Sequence, residues 1–248
     1  MSILLVFHGA DYKVGTTMTA QSVSEAIAKK NPDCKVLRIA MSNRRSCDFI
    51  KEPTPSLEGF RKSLESGAVV GELLFRRYHI KDNLYGISGL EKELNHRQYF
   101  PEDAFKVIKS AEKQFDYIVV DGGCDIDNGL VLGSLSMGGI NFLVLTQNES
   151  VLHRWENQRA LYKGFSIEFD LFIVNKYENA HPYSLSYIIE RLNLQEKSFR
   201  RIGLSSYGCR AEWEKKGLLQ YGRGPYKTQI SDIVKCLKPN PIENIKGV

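Results

Sequence analysis

The sequence predicts an α/β fold built as a single doubly wound, mostly parallel sheet flanked by helices. Three observations carry this expectation. Short, continuously apolar runs recur along the chain, segments with helical spacing lie between them, and the composition is that of an ordinary folded domain. Ile3–Phe7, Val36–Ile39, Leu84–Ile87, Tyr117–Val120, Asn141–Leu145 and Leu171–Val174 are each too short for a helix. They are also too uniformly apolar for a strand with one wet face, which suits strands buried on both faces of a parallel sheet. The 248 residues are 42% hydrophobic and 25% charged with only 8 prolines, which excludes disordered, collagen-like and coiled-coil chains.

The elements follow in order. After the first strand, Thr17–Lys30 places Ala20, Val23 and Ile27 three and four apart, the stripe of an amphipathic helix. Met41–Pro55, with Ser-Asn-Arg-Arg and Pro-Thr-Pro, reads as a long excursion after the second strand. Glu102–Phe115 repeats the helical pattern at Ala104, Ile108, Ala111 and Phe115, directly after Pro101. A last helix precedes Lys238-Pro239-Asn240-Pro241, read as the start of a frayed tail. No internal boundary stands out, so residues 1–237 are expected to form one domain and 238–248 a C-terminal tail.

Charge and cysteine usage add little. The 34 basic and 29 acidic residues leave a net charge of +5, which serves solubility as readily as attraction to nucleic acid. Cys34, Cys47, Cys124, Cys209 and Cys236 are odd in number and lack zinc-ligand spacing, as expected of reduced thiols. No apolar run approaches the roughly 18 residues that cross a bilayer. The first residues show no signal-peptide pattern, and a cytoplasmic protein is expected.

In an open parallel sheet the ligand sits outside the carboxyl ends of the strands. The loop after strand one, His8-Gly9-Ala10-Asp11-Tyr12-Lys13-Val14-Gly15-Thr16-Thr17-Met18, therefore has the context of a phosphate-binding loop. It lacks the full Gly-x-x-x-x-Gly-Lys-Ser/Thr motif, because Ala10 and Thr16 stand at the required Gly and Lys positions. An ordinary strand-to-helix turn capped by Thr16 or Thr17 is the plainer reading of the same residues.

Read with Tyr117-Ile118-Val119-Val120-Asp121-Gly122-Gly123 and with Val174-Asn175-Lys176, the loop resembles that of the ParA/MinD group of deviant Walker-A ATPases, a group that includes the localisation proteins of Tad-type pili. The resemblance runs to about Leu219 and implies a P-loop NTPase-like fold. The family's Lys-Gly-Gly-Val-Gly-Lys-Thr-Thr falls on Asp11–Met18, and only Val14, Gly15 and Thr17 agree. Both family lysines are missing: Thr16 stands at the phosphate lysine and Asp11 at the signature lysine, so the phosphate loop is degenerate. Lys13 between them is a substitute charge. Strand two ends Ile39-Ala40-Met41-Ser42 where the family has Ile-Asp-x-Asp, so two acids are missing as well.

The resemblance implies ATP and Mg²⁺ as cofactors. It places the nucleotide on Lys13, Val14, Gly15, Thr16, Thr17, Met18, Asn175 and Lys176, with Asn175 towards the adenine ring, and the metal on Thr17 and Asp121. It assigns no catalytic residue. The segment Leu204-Ser205-Ser206-Tyr207, with Ala211-Glu212 and Gly217, falls where the family borders the base. Loss of one charge-assisted donor at a transferring phosphate commonly costs roughly 2.7–4 kcal/mol, so slow or absent hydrolysis is expected. The implied role is that of a positioning or assembly factor acting as a homodimer on a protein partner of a positioning, secretion, pilus or partition system.

Three other readings stay open. One is a working ATPase using Lys13. Another is a partition-type protein holding non-specific DNA through Arg44-Arg45, Arg76-Arg77, Arg200-Arg201 and Lys215-Lys216. The third is an ATP-dependent ligase on the same fold. The prolines near the end argue against a C-terminal membrane-targeting helix. His8 is expected as a hydrogen-bonded turn residue, and Cys124, Asp125 and Asp127 as residues of a switch-like loop.

Overall fold

The computed structural model describes residues 2–51, 54–66, 79–221 and 224–237. Eight strands form one sheet: β1 (Ile3–Gly9), β2 (Val36–Ala40), β3 (His79–Lys81), β4 (Leu84–Ile87), β5 (Tyr117–Asp121), β6 (Ile140–Leu145), β7 (Leu171–Tyr177) and β8 (Phe199–Gly203). Their spatial order is β3-β4-β2-β5-β1-β6-β7-β8. Every neighbouring pair is parallel except the β3–β4 pair at one edge.

The helices among the described residues are α1 (Thr16–Lys30), α2 (Arg61–Glu65), α3 (Pro101–Ala111), α4 (Gly129–Leu135), α5 (Glu149–Gly164), α6 (Leu185–Leu192), α7 (Gly208–Glu214) and α8 (Pro225–Cys236). They flank the sheet, with α1 against β1, β2, β5 and α8, and α3 against α4. This is the doubly wound α/β architecture that the apolar runs predict.

All six predicted runs fall on strands, because each is buried on both faces. The predicted helices Thr17–Lys30 and Glu102–Phe115 appear as α1 and α3. The second ends at Ala111, four residues short, and the chain then turns as Gln114 N–H and Phe115 N–H donate to the Ala111 carbonyl. Pro101 occupies the first position of α3, where no N–H is needed, and the Asp103 carboxylate accepts the Phe100 N–H (2.9 Å). Met41–Pro55 contains no helix or strand among its described residues. The tail expected over 238–248 and the pair Arg76-Arg77 lie outside the described residues.

Two strands escape the apolar-run criterion. β8 is an edge strand of mixed burial, with Phe199 and Ile202 buried and Arg200 and Arg201 between them more exposed. β3 is three residues long and mostly exposed. Both belong to sheet margins, where one face or one edge meets water.

The central strand is β1, between β5 and β6. The chain leaves it in opposite directions on the two sides, so the crevice at its carboxyl end is the topological switch point. Phe7 on β1 and Phe142 on β6 are register partners and stack with centroids 4.4 Å apart. Both are fully buried beneath the crevice. Phe142→Ala is expected to cost about 3–5 kcal/mol, read as a lowered urea midpoint with an unchanged denaturant slope; a loss below about 1 kcal/mol would contradict this packing.

Candidate functional site

The site begins where β1 ends. Gly9 N–H donates to the Gly123 carbonyl (2.6 Å) and Ala10 N–H to the Val144 carbonyl (2.8 Å), so the loop leaves the sheet fastened to β6 and to the turn just after β5. Lys13 adopts a left-handed backbone (φ 56°) and so does Gly15 (φ 94°), the N-cap of α1. Neither Thr16 nor Thr17 caps the helix; no side chain does, and the first turn holds no acidic residue. The N-terminus of a 15-residue helix thus presents backbone N–H groups and the positive end of its dipole without an internal counter-charge.

The end of β7 holds this loop in shape. Asn175 Nδ2 donates to the Val14 carbonyl (2.8 Å) and Lys176 Nζ to the Lys13 carbonyl (2.7 Å). A Cβ on Gly15 would collide with Asn175 Nδ2, so the position requires glycine for space as well as for its positive φ. Asn175 thereby fixes the loop itself.

Above the loop lies a cleft of about 450 Å³. Lys13, Gly15, Thr16, Thr17, Met18, Asn175 and Lys176 all line it, while Val14 is buried under the loop. The far wall includes Leu204, Ser205, Gly208 and Glu212, so part of the segment read as the base border reaches the same cleft. Asp121 is not among the lining residues.

Instead Asp121 is engaged in the core. Its Oδ2 accepts Arg38 Nη2 (3.0 Å), and the two side chains are 0% and 1% exposed. The same guanidinium donates to the Ser46 carbonyl (2.5 Å), tying the excursion after β2 to the end of β5. Burial lowers the Arg38 pKa, and Asp121 acts against that shift. Isolated buried charges are prohibitively costly, so each of these groups requires the other. Among the described residues no group of three or more His, Cys, Asp and Glu is placed to hold a metal. Thr17 offers one hydroxyl and Asp121 a carboxylate already paired with a guanidinium, so neither brings the free carboxylate that Mg²⁺ commonly takes beside substrate phosphates and waters.

Sequence reading missed a second cluster. The guanidiniums of Arg44 (5.4 Å) and Arg154 (5.6 Å) both lie over the Tyr12 ring. Its hydroxyl donates to Asp125 Oδ1 (2.6 Å), which raises the phenol pKa. Asn43 Nδ2 donates to the other Asp125 oxygen (3.1 Å), and Arg154 pairs with Asp11 (3.4 Å). One aromatic residue so joins the phosphate-type loop, the β2 excursion, the loop after β5 and α5. Only the residue types were visible in the sequence; Arg154 is far from Tyr12 along the chain.

His8 is part of β1 and fully buried; it is not a turn residue. Its Nε2 bonds the Tyr162 hydroxyl (2.7 Å), and its ring packs on Phe169. Burial, with a smaller contribution from Arg154, pushes its pKa down to about 3. Burial and the neighbouring Asp125 push the Cys124 thiol up to about 12, so it remains a protonated thiol and a poor nucleophile.

The described basic pairs sit on separate elements. Arg44 pairs with Glu93 beside the cleft, Arg200 contacts Cys236 and Arg201 lies over Tyr177 at the β8 edge, and Lys215-Lys216 follow α7. No described helix is long and apolar enough to cross a membrane.

The doubly wound parallel sheet, with a glycine-turned loop feeding an uncapped helix at its switch point, has the architecture of the ParA/MinD ATPases. No family model and no curated protein matches the sequence. Among solved structures, a ParA family ATPase from Chlorobium tepidum TLS superposes with a TM-score of 0.83 at 19% identity, covering 96% of this chain and 100% of that one. The septum site-determining protein MinD of Pyrococcus horikoshii OT3, complexed with Mg-ADP, gives 0.75 at 14% identity, covering 96% of each chain. MinD in the MinC:MinD complex of Aquifex aeolicus gives 0.71 at 18% identity, covering 95% of this chain and 96% of that chain. At these identities the likeness establishes the fold.

Because folded His8 takes up a proton only near pH 3, the unfolded chain binds more protons below the ordinary histidine pKa of about 6.5. The stability this residue contributes is complete above about pH 6.5 and is lost as pH falls towards 3, at about 1.4 kcal/mol per pH unit. Urea titrations at pH 7, 5.5 and 4.5 are expected to show that slope reduced in His8→Gln; an identical slope would contradict it.

Proposed function

We propose that the protein is a ParA/MinD-like nucleotide-binding positioning or assembly factor with a degenerate phosphate loop, acting by dimerisation and partner binding. The observation that carries this reading is the open N-terminus of α1. Gly15 turns the loop, Asn175 and Lys176 hold it, and the first turn of the helix faces the cleft with no internal anion. Backbone N–H groups and a helix dipole bind a phosphate chain without the family's lysines.

The residues fit ATP at this level. Lys13 and Lys176 both line the cleft, and they supply charge to the mouth of the loop. Leu204, Ser205 and Gly208 offer a wall for the base. The same inventory argues against fast hydrolysis. Phosphoryl transfer relies on positioned cations and an oriented water, and the two lysines and two acids that perform those tasks in the family are replaced by Asp11, Thr16, Ala40 and Ser42. A scaffold that holds nucleotide without efficient turnover suits a protein whose output is assembly.

The relative solved with MinC is support by analogy for a protein partner, and the relative solved with Mg-ADP for nucleotide binding. The exposed Lys13 side chain is the one feature that favours the working-ATPase reading. The scatter of the basic pairs over separate elements gives less support to a DNA-binding face.

Titration calorimetry with ATP is expected to show saturable binding, weakened at least tenfold by Gly15→Ala. Turnover is expected to be roughly a hundredfold or more below that of a lysine-bearing phosphate loop. Robust turnover abolished by Lys13→Ala would replace this reading with the working-ATPase one, and absence of ATP binding would remove it.

A further inference from the structure

We propose that Arg38 stands in for the metal of this site, so that the cleft takes a nucleoside triphosphate as its free polyphosphate anion, with no divalent cation held by the protein. This deepens the nucleotide reading above and rests on it.

Arg38 is the third residue of β2, a strand buried along its whole length, and an arginine there is tolerated only beside a carboxylate. Asp121 is that carboxylate, held at 3.0 Å. Its second oxygen is turned to the Gly123 N–H (3.4 Å). A divalent cation is drawn to a carboxylate whose charge is uncompensated. Here the compensation is built into the chain, and guanidinium, unlike a lysine amine, does not lose its proton in proteins. A second cation beside Asp121 would face Arg38 at close range in a buried setting.

The other carboxylates of the cleft do not rebuild a metal site. Asp11 accepts its neighbour's Tyr12 N–H (2.7 Å) and pairs with Arg154. Asp125 accepts Tyr12 and Asn43. Asp48 and Glu212 remain, one on the β2 excursion and the other on α7. Among the described residues they do not join a group of three acidic or metal-ligating side chains.

The anion, in contrast, is well provided for. The uncapped helix, Lys13 and Lys176 meet a phosphate chain directly, and Arg38 removes the repulsion that a free Asp121 would exert on it. Arg38 also binds Ser46, so the excursion and the end of β5 are joined before any ligand arrives. The division of labour is direct: surface cations and backbone amides hold the phosphates, and the buried cation pairs with the carboxylate at the end of β5.

Binding of ATP, measured by calorimetry in EDTA and again in millimolar Mg²⁺, tests this. The unaltered protein is expected to give dissociation constants within about threefold of each other. Arg38→Lys, which keeps the charge, is expected to behave alike. Arg38→Leu exposes an unpaired Asp121 and is expected to bind at least tenfold tighter with Mg²⁺ than without. Because that variant risks misfolding, Arg38→Leu combined with Asp121→Asn removes both charges and is expected to fold and to bind equally in the two conditions. Tenfold or greater Mg²⁺ dependence in the unaltered protein, whether lost in the double variant or in Asp48→Asn, overturns the proposal while leaving nucleotide binding intact. Absence of ATP binding in both conditions overturns the nucleotide reading and this one with it.

Discussion

A guanidinium with no access to water sits in the second strand of the sheet, and much of the site follows from the two acceptors its Nη2 finds, Nε and Nη1 having no partner among the described residues. Arg38 cannot be hydrated and cannot shed its proton, so an ionised carboxylate has to stand beside it. Asp121 at the end of β5 is that partner. The strands themselves are in register with Ala40 opposite Asp121, so the Arg38 side chain reaches along the strand direction to meet it. Its second hydrogen bond, to Ser46, draws the excursion after β2 over the same strand end. One buried pair thereby ties β2 and the loop that follows it to the end of β5 and gives the Asp121 carboxylate a built-in cationic partner.

The phosphate-type loop depends on a second set of contacts from the other side of the crevice. Asn175 and Lys176 bind consecutive carbonyls, those of Val14 and Lys13, and Gly15 makes room for the first of them. Those bonds keep Lys13 and Gly15 in left-handed conformations, which a free loop would leave. The result is a helix N-terminus held open towards a cleft, the geometry on which the proposed phosphate binding rests. The electrostatic design differs from that of a lysine-bearing loop: its positive field comes from backbone dipoles and from side chains at the mouth.

The fold was legible because burial on both faces leaves a simple trace. Six apolar runs marked six strands, and the spacing of Ala20, Val23 and Ile27 marked α1. β8 and β3 were not legible, since edge strands carry arginine, lysine and histidine on exposed faces. In the site, Gly15, Thr17, Asn175 and Lys176 were found from motif order, and they line one cleft. Arg38 was overlooked although its signal was present. A basic residue inside Val36–Ile39 demands a buried acid, and Asp121 was already in view as the acid at a neighbouring strand end. The Tyr12 cluster could not be read, because Arg154 comes from a helix whose packing only the folded chain reveals. His8 was placed in a turn for want of the same information: its partner Tyr162 lies 154 residues away.

The account therefore turns on whether the Arg38–Asp121 pair persists when a phosphate chain and a divalent cation are both offered. A crystal structure of the protein grown with a non-hydrolysable ATP analogue and Mg²⁺ tests this most directly. The phosphates are expected against the N–H groups of Gly15–Met18, with Arg38 still on Asp121 and no metal between protein carboxylates. A structure in which Arg38 has swung away and Asp121 binds an octahedral cation, directly or through water, would contradict it.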